Sequence, residues 1–287
     1  MALVAAEHAT ARRETPPAGW LGWLQLAYAR RGGRTVLRRR RHQGPLLVQR
    51  SFHPEGPVCH SYLIHPPGGV VGGDRLRLDA TIGSGAEALL TTPAAAKFYR
   101  TAGPRARQEQ VFDVARDAAL EFLPMETILH GNSDTMLHNR FRLAGNARLC
   151  TWEILCLGRP GSGDHFEGGR CVQDLVVERD GKRLLHERLN LTHGDPLLTR
   201  PWGLDGYPAL GALVATPAPE GLAAALREAL AGIDGVRVGV SRVNDVVLLR
   251  CLAPGAEAAR AVVGQAWQAL REPLMGRPPH PPRIWKT

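Results

Sequence analysis

The stretch RLRLDATI, Arg75 to Ile82, alternates without a break: Leu76, Leu78, Ala80 and Ile82 fall on one side of an extended chain, and Arg77, Asp79 and Thr81 on the other. A period of two marks a strand with one buried face. Similar short runs recur on both sides of it, at WLQLAYAR, RTVLRRRRH, QEQVFDVA, AALEFLP, ARLCTWEILCLG, CVQDLVVERD and KRLLHERLNL, most of them bounded by Gly, Pro, Asn or Asp. Gly32 and Gly33, between the first two runs, predict a hairpin turn. Helical spacing appears only late. Leu222, Leu226, Ala229, Leu230 and Ile233 share one face, and Val262, Val263, Ala266, Trp267 and Leu270 another, with Pro273 expected to close the second helix. The chain therefore reads as mainly β through its first two thirds, with two helices in the C-terminal third. No repeat of fixed sequence period is visible, and no low-complexity linker divides the chain, so residues 20–287 read as one domain behind a flexible tail, 1–19.

Immediately before the alternating strand stands HPPGGVVGGDRL, His65 to Leu76. Gly68 and Gly73 have the spacing of a phosphate-binding P-loop, but the lysine and hydroxyl positions hold Asp74 and Arg75. A carboxylate where the lysine belongs would repel the phosphates. The glycines Gly68, Gly69, Gly72 and Gly73 therefore read as a tight structural turn, and Asp74 is left without an obvious role.

The 287 residues are 44% hydrophobic, enough for a full core, and carry a net charge of +9. That excess suits an acidic partner or nucleic acid. The run Arg38 to Arg41 has no interleaved aromatics for base stacking, so it reads first as a solvated face, with a nucleic-acid site as the lesser reading. The N-terminal residues fit neither a signal peptide nor a membrane anchor, and a cytoplasmic location with no membrane partner is expected. The five cysteines, Cys59, Cys150, Cys156, Cys171 and Cys251, contain no C-x-x-C pair and read as reduced thiols. In CHSYLIH, His60 and His65 face opposite sides of a strand, and no H-E-x-x-H supplies two converging ligands. A metal-dependent enzyme built from distant ligands and a basic nucleic-acid-binding module remain as alternative readings. Neither IGSGAE nor GRPGSGD matches the serine-hydrolase motif G-x-S-x-G.

Acids stand where acids are costly. Glu153 lies between Trp152 and Ile154 in an almost wholly apolar strand, Glu187 follows two leucines and a histidine, and Asp74 ends the glycine turn. Two readings stay open. Each carboxylate faces water or pairs with an arginine such as Arg188 or Arg75, or the three line a wet interior passage for a cation.

The ordered series GPLLVQRSFHPEG, CHSYLIHPPGGVVGGDRL, LLTTPAAAKFYRT, LEFLPMETILH, WEILCLGRP, LLHERLNL and PRIWKT resembles the urease accessory protein D family (UreD, also called UreH) from Trp20 onward. It departs from the family at Ser51-Phe52-His53, Phe122, Met125 and Arg75. The resemblance implies a β-helix-like stack of short strands with two helices, and a scaffold, not an enzyme. It also implies binding to UreF, recruitment of the GTPase UreG through UreF, and docking of this hetero-oligomeric complex on the urease apoprotein during nickel delivery. By the family's pattern Asp74, Glu153 and Glu187 correspond to acids of an internal tunnel. No tightly bound cofactor is implied, and nickel would be in transit.

Overall fold

The structure, a computed structural model, describes residues 19–286. The chain opens with a hairpin, β1 (Leu21–Arg31) and β2 (Arg34–Gln43), followed by β3 (Leu47–Val48) and β4 (Cys59–Ile64). Coils then follow one another: β5 (Arg75–Ile82), β6 (Glu87–Thr91) and β7 (Ala96–Phe98); β8 (Ala106–Val114), β9 (Ala119–Leu123) and β10 (Thr127–Leu129); β11 (Asp134–Leu143) and β12 (Arg148–Leu157). A second long hairpin, β13 (Arg170–Arg179) and β14 (Lys182–Thr192), leads through the short α1 (Pro196–Thr199) to β15 (Ala209–Thr216). After α2 (Leu222–Ala229) come β16 (Arg237–Val243) and β17 (Val246–Ala253), and then α3 (Ala256–Met275).

Strands one coil apart pair in parallel, so the chain winds as a β-solenoid of about four turns. One wall runs β14-β13-β11-β8-β5-β1-β2; the other follows β16-β17-β15-β12-β9-β6-β4-β3. In β5 the predicted alternation is real: Leu76, Leu78, Ala80 and Ile82 are buried between the walls. The coils are unequal in length, because Arg75 pairs with Arg107, Arg107 with Met136, and Asp134 with Arg170. That inequality is why no fixed period is visible in the sequence.

One corner is nonetheless nearly identical in each coil. Ala86, Ala118 and Ala147 are fully buried there, and each donates its N–H three residues back, to Gly83, Ala115 and Ala144, at 2.9–3.1 Å. Asp117 and Asn146 tie two of these corners together: the Asp117 N–H donates to Asn146 Oδ1 at 2.9 Å, and Asn146 Nδ2 to Asp117 Oδ1 at 2.7 Å. Between the walls Phe112 lies parallel to Phe141, one strand over, with ring centres 4.8 Å apart, and tilts against Phe122 of the opposite wall at 4.6 Å. Such pairs stabilise by about 0.5–1.5 kcal/mol beyond their buried area.

The helices cover the outer face of the larger wall. Ala259, Val262, Val263, Ala266, Trp267, Leu270 and Leu274 form the buried stripe of α3, at the spacing of one helical face. Pro273 does not close this helix, contrary to expectation. It sits in the last turn and the helix runs on to Met275. Gly276, at φ +70°, caps it by donating its N–H to the Glu272 carbonyl at 2.9 Å. A proline so near the end costs a single intrahelical bond, to the Ala269 carbonyl. α2 stops at Ala229, leaving Ile233 beyond it. Three strands, β15 to β17, also stand in the C-terminal third, where the sequence reading expected helices.

An ionic clasp fastens α3 to the solenoid. Arg271 is fully buried; its guanidinium donates to Glu55 at 2.6 and 2.8 Å, to Glu121 of β9 at 2.9 and 3.0 Å, and to the Pro278 carbonyl at 2.7 Å. Trp267 Nε1 donates to Glu121 at 2.7 Å, and the His60 ring lies 2.6 Å from Glu55. Burial alone would raise the Glu55 carboxyl, but the hydrogen bonds from His60 and Arg271 hold it down at about 2. Glu121 sits in a run, AALEFLP, as apolar as that around Glu153, and its burial was missed in the sequence.

Candidate functional site

Inward-facing positions of the solenoid are mostly apolar, with a polar exception at mid-height. On β8 the inward row reads Ala106, Gln108, Gln110, Phe112; on β11, Thr135, Leu137, Asn139, Phe141; on β13, Cys171, Gln173, Leu175. Gln110 stands directly opposite Asn139, and Leu137 opposite Gln173. Neighbouring strands lie about 4.8 Å apart, so these amides form a polar row across one wall.

Glu153 meets this row from the other wall. Its Oε1 accepts from Asn139 Nδ2 and its Oε2 from Gln173 Nε2 at 2.5 Å. Among the described residues no Lys, Arg or His pairs with it. Burial pushes the carboxyl up from its ordinary 4.5 to about 7; the two amide hydrogen bonds pull the other way, and the charge of Glu187 adds to the rise. Asn139 Oδ1 is buried without a partner among the described residues. Beside these groups lies a cavity of about 110 Å³, lined by Glu153, Gln173, Glu187, Arg250 and Cys251 with leucines around them.

Glu187 lies on the rim. Arg250 holds it with two hydrogen bonds, at 2.7 and 2.8 Å, whereas Arg188 turns instead to Asp174 at 3.5 Å. Because Arg250 is about half exposed, this pair is worth little. Glu187→Gln is expected to change the unfolding free energy by less than about 1 kcal/mol in urea titration.

Asp74 is placed apart from that pair. It is nearly buried, and both oxygens accept from backbone: Oδ1 from the Trp20 N–H at 2.8 Å and Oδ2 from the Val71 N–H at 3.0 Å. It therefore pins β1 to the glycine turn, and Arg75 is not its partner. It also lines an open cavity of about 290 Å³ with His65, Pro67, Gly69 and Leu76, and those four residues line a second cavity of about 140 Å³ that reaches Gln108 and Gln110. Burial lowers the His65 pKa, against the opposing pull of Asp74.

The glycine turn is shaped by close approach more than by dihedral freedom. Only Gly73 of its four glycines has positive φ, at +88°. A Cβ on Gly72 would lie 1.9 Å from Thr101 Oγ1, and one on Gly69 2.3 Å from the Tyr99 ring, while Gly68 has open space. Gly72→Val is expected to destabilise the fold by about 1–3 kcal/mol, and Gly68→Ala to stay within about 0.5 kcal/mol; thermal unfolding of the two variants checks both.

Sequence reasoning missed Asn139, Gln173 and Arg250. The first two were findable, since they stand at inward parity within alternating strands. Arg250 was not, because its contact with Glu187 spans two walls.

The sequence model of the family described as UreD urease accessory protein matches residues 21–286. The chain belongs to the UreD family of urease accessory proteins. It is 57% identical over 270 residues to urease accessory protein UreD of Alkalilimnicola ehrlichii, covering 94% of this chain and 92% of that one. Against UreD of Pseudomonas fluorescens the identity is 46%, over 93% and 95% of the two chains, and against UreD of Citrobacter koseri 41%, over 97% and 95%. Membership of the UreD family makes an accessory role in urease maturation the expected one. No helix among the described residues is long and apolar enough to cross a membrane.

Proposed function

We propose that the chain is a cytoplasmic, non-enzymatic scaffold that binds UreF, and UreG through it, docks the complex on the urease apoprotein, and assists GTP-dependent nickel insertion. Nickel is cargo in this reading and crosses the solenoid interior without a resting site. Family membership supports the role in urease maturation. The observation that carries the passage is Glu153: a carboxylate inside the walls, held by two neutral amides, unpaired with any cation among the described residues, and bordering a cavity.

The route runs from the open cavity at Asp74, past Gln108 and Gln110, along Asn139 to Glu153 and Gln173, and out by Glu187. Amide and carboxylate oxygens suit a transient, hydrated divalent ion, whereas thiolates would hold a transition metal tightly. Burial supports this by keeping the nearby thiols protonated, Cys171 at about 12 and Cys251 at about 11. In this route Asp74 shapes the mouth, since backbone N–H groups occupy both its oxygens.

The test of the scaffold is co-expression with the neighbouring urease accessory proteins followed by a pull-down. The chain is expected to be poorly soluble alone and recovered with UreF, with no GTP affinity of its own. A monodisperse monomer that ignores UreF, or that binds GTP, would overturn the reading.

A further inference from the structure

The arginine run that the function leaves unused occupies a particular place in the fold. β2 is the edge strand of the seven-stranded wall, and its residues Arg38 to Gln43 are all exposed. Near the turn the edge is closed, because the Thr35 N–H donates to the Pro57 carbonyl at 2.8 Å. Beyond it, among the described residues, no backbone hydrogen bond joins Arg38–Gln43 to anything except β1. An edge strand leaves about half its N–H and C=O groups pointing outward, unpaired.

The side chains give this edge a sign. Arg39 pairs with Ala27 and Arg41 with Gln25, so both stand on the outer face of the wall, while Arg38 is the extra residue of a β-bulge between them and Leu37. Arg40 turns to the other side and donates to the Val48 carbonyl at 3.4 Å. No acid pairs with Arg38, Arg39 or Arg41 among the described residues; Asp79, in register with Gln25 and through it with Arg41, is taken by Arg77 and Trp23. The result is a backbone edge free among the described residues and flanked by arginines without an acid, with Arg39 and Arg41 two positions apart on one face, about 6.8 Å along the strand, as alternate residues of a facing strand are.

We propose that Arg38–Gln43 is a docking edge for an extended acidic segment of a partner protein, which adds to the seven-stranded wall as a further strand and sets alternate carboxylates against Arg39 and Arg41. A polypeptide fits better than nucleic acid, because the free groups are a backbone ladder, which a phosphate chain cannot complete. Nor are aromatic side chains interleaved with the arginines to stack bases.

The test uses the full-length chain and three fluorescein-labelled probes: a decapeptide of alternating Glu and Thr, a decapeptide of alternating Glu and Pro, and a random 12-base-pair DNA duplex. Anisotropy titrations at 50 and 200 mM salt are expected to show Glu-Thr binding that weakens with salt. Glu-Pro carries the same charge but lacks half the backbone donors, and is expected to bind at least about fivefold more weakly. Arg39→Glu combined with Arg41→Glu is expected to weaken Glu-Thr binding at least about tenfold, with an unchanged thermal midpoint. Arg39→Gln with Arg41→Gln is expected to give an intermediate loss. Equal binding of Glu-Thr and Glu-Pro would overturn strand addition, leaving only a charged surface. Tighter binding of the duplex would transfer the edge to nucleic acid. Double-Glu variants that bind as the wild type does, or that aggregate without any change in peptide affinity, would reduce the arginines to guards against edge-to-edge association.

Discussion

Replacing Arg271 by Ala is expected to lower the unfolding free energy by about 3–5 kcal/mol, because it leaves two buried carboxylates facing each other without their shared cation. Glu55 and Glu121 both lose their guanidinium bonds, and only His60 and Trp267 remain to satisfy them. Arg271→Met combined with Glu55→Gln and Glu121→Gln is expected to recover much of the loss, since a neutral, packed site no longer strands charge. The sign with pH is fixed by Glu55. Its carboxyl is lower in the folded chain, about 2, than the ordinary 4.5, so its contribution is present above 4.5 and fades as the pH falls toward 2. Acid therefore costs the wild type more stability across that window than it costs the triple variant. Urea unfolding at pH 7 and pH 3 measures both effects, and an Arg271→Ala chain within 1 kcal/mol of wild type would show that the clasp contributes nothing.

The second large effect concerns cargo, not stability. Under the proposed passage, Glu153→Gln and Glu153→Ala are each expected to slow nickel loading of urease at least about tenfold while the complex with UreF stays intact. A unit charge about 4 Å from a cation contributes about 4 kcal/mol at an effective dielectric of 20. Retaining a third of that already gives a factor of ten. Glu153→Asp keeps the charge and should be milder. The Glu153 carboxyl is raised to about 7 in the folded chain, so lowering the pH through 7 protonates it and removes the attraction. The ratio of wild-type to Glu153→Gln loading should therefore fall toward one between about pH 8 and pH 6. Nickel per urease active site, counted after activation with GTP and nickel by a complex of checked stoichiometry, decides the matter. Full loading by an intact Glu153→Gln complex would remove Glu153 from the passage.

The strands were legible because each carries its own signal. The alternation of Arg75–Ile82 and the paired glycines at 32 and 33, both at positive φ, needed no tertiary context. The stack of coils was not legible, since parallel pairing joins residues about thirty positions apart and the unequal coils hide the repeat; only the small Ala86, Ala118 and Ala147 mark it. β16 and β17, which Asn244 at φ +55° turns into a hairpin, were not legible, because an apolar run such as VVLLRCLA fits a buried strand and a buried helix equally. Costly acids were visible in Glu153 and Glu187 but their surroundings were not. The amides that hold Glu153 lie 14 and 20 residues away along the chain, and the arginine on Glu187 63 residues away. Glu121 and Arg271 meet across 150 residues, and neither strand parity nor helical phase could have joined them.

The same separations set an order of assembly. Each coil finds its neighbour after a loop closure of about thirty residues, so the solenoid can wind progressively, with every coil serving as the template for the next. α3 packs on the nearby α2, β15 and β17, but its clasp reaches back 150 residues to β9 and 216 to the loop before β4, and both must already be in place. Closing the clasp of α3 is therefore a late event, and until it occurs the outer face of the larger wall is covered only in part, by α2. A chain halted at that stage exposes the surface covering Trp152, Leu213 and Leu249, a sticky intermediate whose lifetime is set by how quickly one helix swings home.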